Sequence, residues 1–230
     1  MFTYSLSGLE IKAAGETLQE VEENETTSRS ALYQLFAKWF SGADSSHFAK
    51  SRDGIWVKEL ESASELLPYK LDVDLPIDLS GLDSQEFESQ WSLAFKGSDE
   101  NGSPLESSFY SGDNAQTIHD VQREYEYFGL ATGASDAHRA DHLSTELEFM
   151  GFLCFKEAAT SSDRLRSSYR RAQADFLSRF LEGLVTGLVA RSNPTTLIPA
   201  IAWGLRYLEV FVAKDIIYLD TILAPSPQSN

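Results

Sequence analysis

The sequence predicts an all-α protein, a single-domain helical bundle of about seven or eight helices. Apolar residues recur at intervals of three and four along most of the chain, which is the spacing of one helical face. No run of alternating β-branched residues indicates a strand, and clusters of turn-forming residues separate the helical stretches. The chain has 230 residues, 42% of them hydrophobic and 12% aromatic. It is therefore long enough to bury a substantial core.

The N-terminal part divides into a polar extension and a first amphipathic helix. Residues 1–27 are polar and acidic, and we do not expect this extension to be well ordered. The residues from Ser28 to Ser30 are predicted to cap the first helix. The apolar residues that follow at helical spacing are Leu32, Leu35, Phe36, Trp39 and Phe40. The helical domain is thus predicted to begin at residue 28.

Two further helices are predicted before residue 100. The first begins near Ile55 and ends at Pro68, and the segment 71–79 that follows is predicted to be an extended linker because it contains Pro76. Asp83 is predicted to cap the next helix. The buried side of that helix would carry Phe87, Trp91, Leu93 and Phe95. A loop rich in glycine and polar residues, 97–104, then ends this half of the chain.

The segment 121–150 is the most informative part of the sequence. Its first helix is predicted to present Val121, Tyr125 and Phe128 on one face, with Tyr127 beside them, and to end at Gly129. A short polar loop follows. The second helix is predicted to begin near Ala137 or Ala140 and to carry Leu143, Leu147, Phe149 and Met150 inward. Its first turns would then contain Asp141, His142 and Glu146.

The C-terminal part is predicted to be two long helices. Residues 163–191 read as one helix, which Asn193 and Pro194 terminate. The last helix follows Thr196 and continues to residue 223, and residues 224–230 form a loose tail. The domain organisation is therefore an extension at 1–27, an all-helical domain at 28–223 and a short tail.

Composition excludes several classes of protein. The formal net charge is −16, from 19 basic and 35 acidic residues, which disfavours nucleic acid as a partner. This acidity is explained mainly by solubility, although it also attracts basic segments. The apolar stretch 197–223 contains five charged residues, so we predict no membrane insertion. Cys154 is the only cysteine, so no internal disulfide forms, and it is predicted to be a core residue. No signal peptide is recognisable at the start, and we expect the protein to be cytoplasmic.

The second helix of segment 121–150 carries polar residues with more than one chemical interpretation. His138, His142 and Glu146 stand at i, i+4 and i+8, which suggests a small helical metal-binding protein or enzyme. Against this, the three side chains would span about 12 Å of helix axis, too far for one ion. Asp141 and His142 can equally be structural residues at a helix start, or part of a peptide-binding site. The residues alone do not decide between these two roles.

Two stretches of the chain resemble one family closely. The first reads Tyr125, Phe128, Gly129, then 140–143 (Ala-Asp-His-Leu) and 146–150 (Glu-Leu-Glu-Phe-Met); the second, weaker one is 104–110 (Pro-Leu-Glu-Ser-Ser-Phe-Tyr). They are similar to the motifs of the TorD/DmsD/NarJ-type chaperones that mature molybdenum-containing redox enzymes. The chain departs from the family at Ala140, where many members have Pro, and at Phe180, where many have His.

The resemblance implies a function without catalysis. A member of this family would bind the signal peptide, usually a twin-arginine signal, or the apoprotein of the molybdopterin-containing catalytic subunit of a dimethyl-sulfoxide-reductase-type enzyme. It would assist cofactor insertion before export or assembly. The client carries the cofactor, and the chaperone has none of its own. Some members bind GTP weakly, but no phosphate-binding motif is present here. The chain would be a monomer or a swapped dimer. The residues implied in client binding are Glu106, Tyr110, Glu124, Tyr125, Phe128, Asp141, His142 and Glu146.

Overall fold

A computed structural model describes nine stretches of the chain: residues 9–11, 25–42, 44–73, 83–96, 104–105, 108–109, 114–132, 139–191 and 199–224. The α-helices in these stretches are α1 (Glu25–Phe40), α2 (Ser45–Arg52), α3 (Ile55–Ser64), α4 (Ser84–Lys96), α5 (Asn114–Tyr127), α6 (Leu143–Ala159), α7 (Asp163–Phe176), α8 (Glu182–Arg191) and α9 (Pro199–Leu223). A π-helical turn, Leu177–Leu181, joins α7 to α8 without a break. The described residues therefore form eight separate helices, and the predicted all-α fold is confirmed.

A short antiparallel strand pair is the one sheet among the described residues. Strand β1 (Leu9–Ile11) pairs with β2 (Leu130–Thr132), with Leu9 opposite Thr132 and Ile11 opposite Leu130. No alternating pattern predicted this pair, because three residues per strand are too few to show one. The pairing attaches part of the N-terminal extension to the segment that follows α5.

Two predicted helix starts are wrong, and one helix was not predicted. Helix α1 begins at Glu25, so Ser28 and Ser30 lie inside the helix and are buried rather than capping it. Helix α6 begins at Leu143, so Asp141 precedes the helix and His142 is its N-cap residue. Helix α2 was not predicted at all. It is short and begins after Asp44, whose carboxylate accepts a hydrogen bond from the His47 amide at 2.8 Å.

Other boundaries agree with the sequence. The Asp83 carboxylate accepts from the Glu86 amide at 2.8 Å, which confirms the predicted cap of α4. Gly129 follows α5 with a φ of 74°, the left-handed conformation that a helix-ending glycine adopts. Most of the predicted linker at 71–79, the loop at 97–103 and the tail from 225 lie outside the described residues.

The core is built around α1 and α6, which pack against each other along their lengths. Helices α7 and α9 cover them: Phe36 of α1 stacks on Phe211 of α9 at 5.9 Å between ring centroids. Cys154 is fully buried in α6, as predicted, and burial raises the pKa of its thiol. No helix among the described residues has the length and apolarity that crossing a bilayer requires.

A charged network lies inside this core. The Arg29 guanidinium of α1 is completely buried and binds the Asp215 carboxylate of α9 through Nε at 2.6 Å and Nη2 at 2.9 Å. The same Nη2 donates to Gln173 Oε1 at 2.6 Å, and Gln173 in turn donates to Glu157 at 2.9 Å. Burial is the largest influence and opposes the charge on Arg29, but Asp215, together with smaller contributions from Cys154 and Tyr33, outweighs burial and holds the pKa of the guanidinium above its ordinary value. Helices α1, α6, α7 and α9 are thus joined by polar bonds as well as by apolar packing.

Candidate functional site

The fold brings the two family-like stretches into direct contact. The Leu143 amide at the start of α6 donates to the Pro104 carbonyl at 2.8 Å, and Leu105 forms an antiparallel bridge with His142. The Ser108 amide and hydroxyl both donate to the Leu105 carbonyl, at 3.0 and 2.6 Å. Residues separated by more than thirty positions therefore form one continuous surface at the start of α6. We call residues 104–105 and 108–109 the docked loop.

Tyr125 connects α5 to the same place. Its ring is buried and lies 4.8 Å from the Phe149 ring, and its hydroxyl donates to the Ala140 carbonyl at 2.8 Å. This bond holds the backbone immediately before Asp141 and His142. Tyr125 can therefore act on a bound peptide only through the residues that it positions.

Asp141 is fully buried and is engaged by a neighbouring arginine. Arg139 Nε and Nη2 donate to the two carboxylate oxygens at 3.0 and 3.2 Å, while the Arg139 side chain remains 43% exposed. A paired, bidentate geometry is the arrangement in which a buried carboxylate is least costly. The surface at this point presents a guanidinium, with the carboxylate behind it.

His142 caps α6. Its backbone is extended, and its Nδ1 accepts from the Ser144 amide at 3.2 Å and lies 2.7 Å from the Ser144 hydroxyl. The residue as a whole is half-buried, and it pairs with Leu105 of the docked loop. An imidazole nitrogen that accepts from an amide is unprotonated, which assigns the proton of the neutral ring to Nε2. His142 thus has a structural role as the cap of α6.

The remaining predicted site residues divide by exposure. Glu124 is partly exposed and accepts from Arg179 at 2.6 Å, while Phe128 is half-buried against Phe149 and Tyr169. Glu146 is fully buried in the first turn of α6. Glu106 and Tyr110 lie outside the described residues, as does His138. Among the residues that the structure does describe, no three potential ligands converge on a metal position.

One exposed aromatic residue lies outside the set of site residues predicted from the sequence. Tyr127 is 83% exposed at the end of α5, and its ring meets the Phe128 ring edge-on at 5.0 Å. Its neighbours Tyr125 and Phe128 pack against the core, whereas Tyr127, which was predicted to lie beside them, is exposed. A large exposed aromatic residue beside a cluster of polar groups is typical of protein-binding surfaces.

These features define a class of protein: an all-helical domain in which hydrogen-bonding groups and aromatic rings lie near the start of α6. The chain belongs to the nitrate reductase delta subunit family, whose sequence model matches residues 59–189. The predicted membership in the redox-enzyme maturation chaperones is confirmed. The named relatives are assembly chaperones rather than catalysts, consistent with the prediction that this chain is not an enzyme.

Named relatives agree with this assignment. The selenate reductase assembly chaperone protein of Thauera selenatis is 34% identical over 107 residues, which cover 44% of this chain and 54% of the relative. The perchlorate reductase assembly chaperone protein of Dechloromonas aromatica is 30% identical over 171 residues, which cover 69% of this chain and 75% of the relative. The chlorate reductase assembly chaperone protein of Ideonella dechloratans is 35% identical over 81 residues, 32% and 42% of the two chains. The chain thus spans about half the length of the first relative and three quarters of the second.

Proposed function

We propose that this chaperone binds the leader peptide or the unfilled apoprotein of a molybdopterin-containing oxidoreductase subunit in the cytoplasm. It would hold that client until the cofactor is inserted, before export or assembly. The relatives named for selenate, perchlorate and chlorate reductases support a reductase as the client class. The mechanism needs only a difference in affinity, tight for the immature client and weak for the mature one.

The observation that carries this proposal is the contact between the docked loop and the start of α6. It brings the half-buried His142 next to Leu105 of the docked loop, with the Arg139–Asp141 pair immediately before His142 in the chain. An apolar leader segment would lie against the aromatic side chains, and its arginines would meet carboxylates. Glu124 is the partly exposed carboxylate of this set that the structure describes.

Asp141 and Glu146 would take part differently, because both are buried. In this proposal, a client arginine reaches Asp141 by displacing Arg139, which already binds that carboxylate in the geometry that an incoming guanidinium would use. Glu146 would support the start of α6 from inside. Tyr125 would act through the Ala140 carbonyl.

The test is a calorimetric titration with a synthetic leader from a molybdenum-dependent reductase encoded beside this chain. We expect saturable binding that weakens as salt is added, because salt screens charge pairing. The control is the same peptide with both arginines replaced by glutamine, which should bind more weakly. If neither the leader nor the full apoprotein binds, the proposal is wrong.

Variants of the site separate recognition from structure. Asp141→Asn and His142→Ala should both weaken leader binding. His142→Ala should also cost about 1 kcal/mol of unfolding free energy, because it removes a helix cap. If leader affinity is unchanged in the folded fraction of both variants, these residues are structural only.

A further inference from the structure

Gly187 lies in the middle of α8 where the ring of Phe109 comes too close for any other residue. A Cβ atom built on Gly187 would lie 2.4 Å from Phe109 Cδ1 and 2.5 Å from Cε1. Real Cβ atoms do not approach other atoms so closely, and the obstruction is a rigid ring whose backbone is itself held in place. Inside a helix, glycine is the least favourable residue apart from proline. Its presence here is therefore explained by the close approach of Phe109.

Arg191 completes the contact one turn further along α8. Its guanidinium carbon lies 4.1 Å from the centroid of the Phe109 ring, within the range of a cation–π interaction. Its Nη1 also donates to the Ser108 carbonyl at 3.4 Å. Phe109 is only half-buried and Arg191 is exposed, so this contact lies at the surface rather than in the core.

The opposite end of the docked loop is bound to the start of α6, through Pro104 to Leu143 and Leu105 to His142. The loop thus spans from the N-terminus of α6 to the C-terminal half of α8. With one end fixed to each helix, the position of the loop beside His142 depends on both attachments.

We propose that Gly187 and Arg191 form a seat for Phe109 that positions the docked loop against His142. They are positioning residues: they act on the client through the loop and need not touch it. The significance of the seat for client binding rests on the proposed function above. Its effect on the loop itself does not, and the two can be measured separately.

The loop is measured without any client through the Leu143 amide, because that amide donates to Pro104. Its hydrogen-exchange rate, followed by NMR, reports whether the loop is docked on α6. Gly187→Ala should accelerate this exchange and lower leader affinity by about tenfold, the size of effect that overpacking strain commonly produces. The matched control is Gly183→Ala, one turn earlier in α8 at an exposed position, which should change neither.

A double-substitution cycle assigns the effect to the ring. Phe109→Ala alone should also accelerate Leu143 exchange and weaken leader binding, because it empties the seat. In the Phe109→Ala background, Gly187→Ala should have no additional effect, since the ring it would strike is gone. If Gly187→Ala keeps its full effect in that background, the seat is not the cause and the proposal is overturned.

Arg191→Gln provides an independent test, since this exposed substitution should leave the protein folded. It should accelerate Leu143 exchange in the same direction as Gly187→Ala but by less. Unchanged exchange in both Gly187→Ala and Arg191→Gln would overturn the proposal. If the wild-type protein binds no leader, the proposed function fails, while the exchange rates still decide whether the seat positions the loop.

Discussion

Replacing Asp215 with Asn should be among the most destabilising single substitutions in this chain. Each carboxylate oxygen accepts two hydrogen bonds. Oδ1 accepts from Arg29 Nε at 2.6 Å and from the Tyr69 hydroxyl at 2.7 Å. Oδ2 accepts from Arg29 Nη2 at 2.9 Å and from the Tyr33 hydroxyl at 2.7 Å. An amide keeps one oxygen, and its NH2 group cannot accept from Arg29, so one arginine bond is lost whichever way the amide is oriented. The tyrosine on that side can bond only by accepting from the NH2 group, which replaces a charged hydrogen bond with a neutral one.

The magnitude follows from those two bonds and the remaining charge. A bond to a charged group contributes about 1.5–3 kcal/mol and a neutral one about 0.5–1.5 kcal/mol. Arg29 would also stay buried without its main counter-charge. Breaking a buried ion pair in this way typically costs about 3–5 kcal/mol. For a chain of this size, this corresponds to a fall in melting temperature of about 10 °C.

Thermal unfolding followed by circular dichroism measures this change. The matched control is Asp220→Asn, further along the same helix at an exposed position, which should shift the unfolding free energy by less than about 0.5 kcal/mol. If Asp215→Asn melts within 2 °C of the wild-type protein, a figure set by the roughly 2–4 °C expected per kcal/mol, the network contributes little and the reasoning fails.

Three other substitutions test separate parts of the molecule. Tyr125→Phe removes the hydrogen bond to the Ala140 carbonyl and should lower the free energy of unfolding, measured by chemical denaturation, by about 1 kcal/mol. An unchanged denaturation midpoint would mean that water replaces the hydroxyl. Tyr127→Ala should leave stability unchanged because the ring is 83% exposed, but it should weaken leader binding in calorimetry if this ring belongs to the client surface. His47 is buried, which lowers the pKa of its imidazole to about 4. The unfolded chain therefore binds a proton at the His47 imidazole more tightly than the folded chain does. The free energy of unfolding is highest above pH 6.5 and falls by up to about 3 kcal/mol as the pH falls towards 4. His47→Leu should flatten this acid dependence in denaturation curves, whereas the exposed His119→Leu should not.

Helical periodicity predicted the fold because it is a local property. The apolar stripe of α1 and the glycine after α5 each depend on residues within a few positions of one another. The start of α1 could not be predicted in the same way. Arg29 looks like a surface residue beside a cap, and only Asp215, 186 positions away, makes its burial favourable. The charged network is a product of tertiary structure and leaves no pattern in the sequence.

The candidate site shows the same division. The two family-like stretches were recognisable from their residues, and the fold brings them together through Pro104 and Leu143. Which of their side chains are accessible could not be read from the sequence. Asp141 is buried and bound by Arg139. His142, rather than Asp141, caps α6 because the helix begins at Leu143. Gly187 is unremarkable in the sequence until Phe109 is found against it.

The π-helical turn at Leu177–Leu181 sets how this protein tolerates changes in chain length. A π turn accommodates one residue more than an α-helical turn, and each residue rotates a helix by about 100°. Everything beyond the turn, including Gly187 and Arg191, is therefore oriented by that additional residue, while α7 is not. Substitutions along the surface of the turn leave the rotational orientation of α8 relative to α7 unchanged. Deleting a single residue there would rotate the seat of Phe109 away from the docked loop. In evolution, a one-residue insertion or deletion at this turn would reorient one end of a continuous helix relative to the other, and relatives that differ in length there should differ in how they hold the loop.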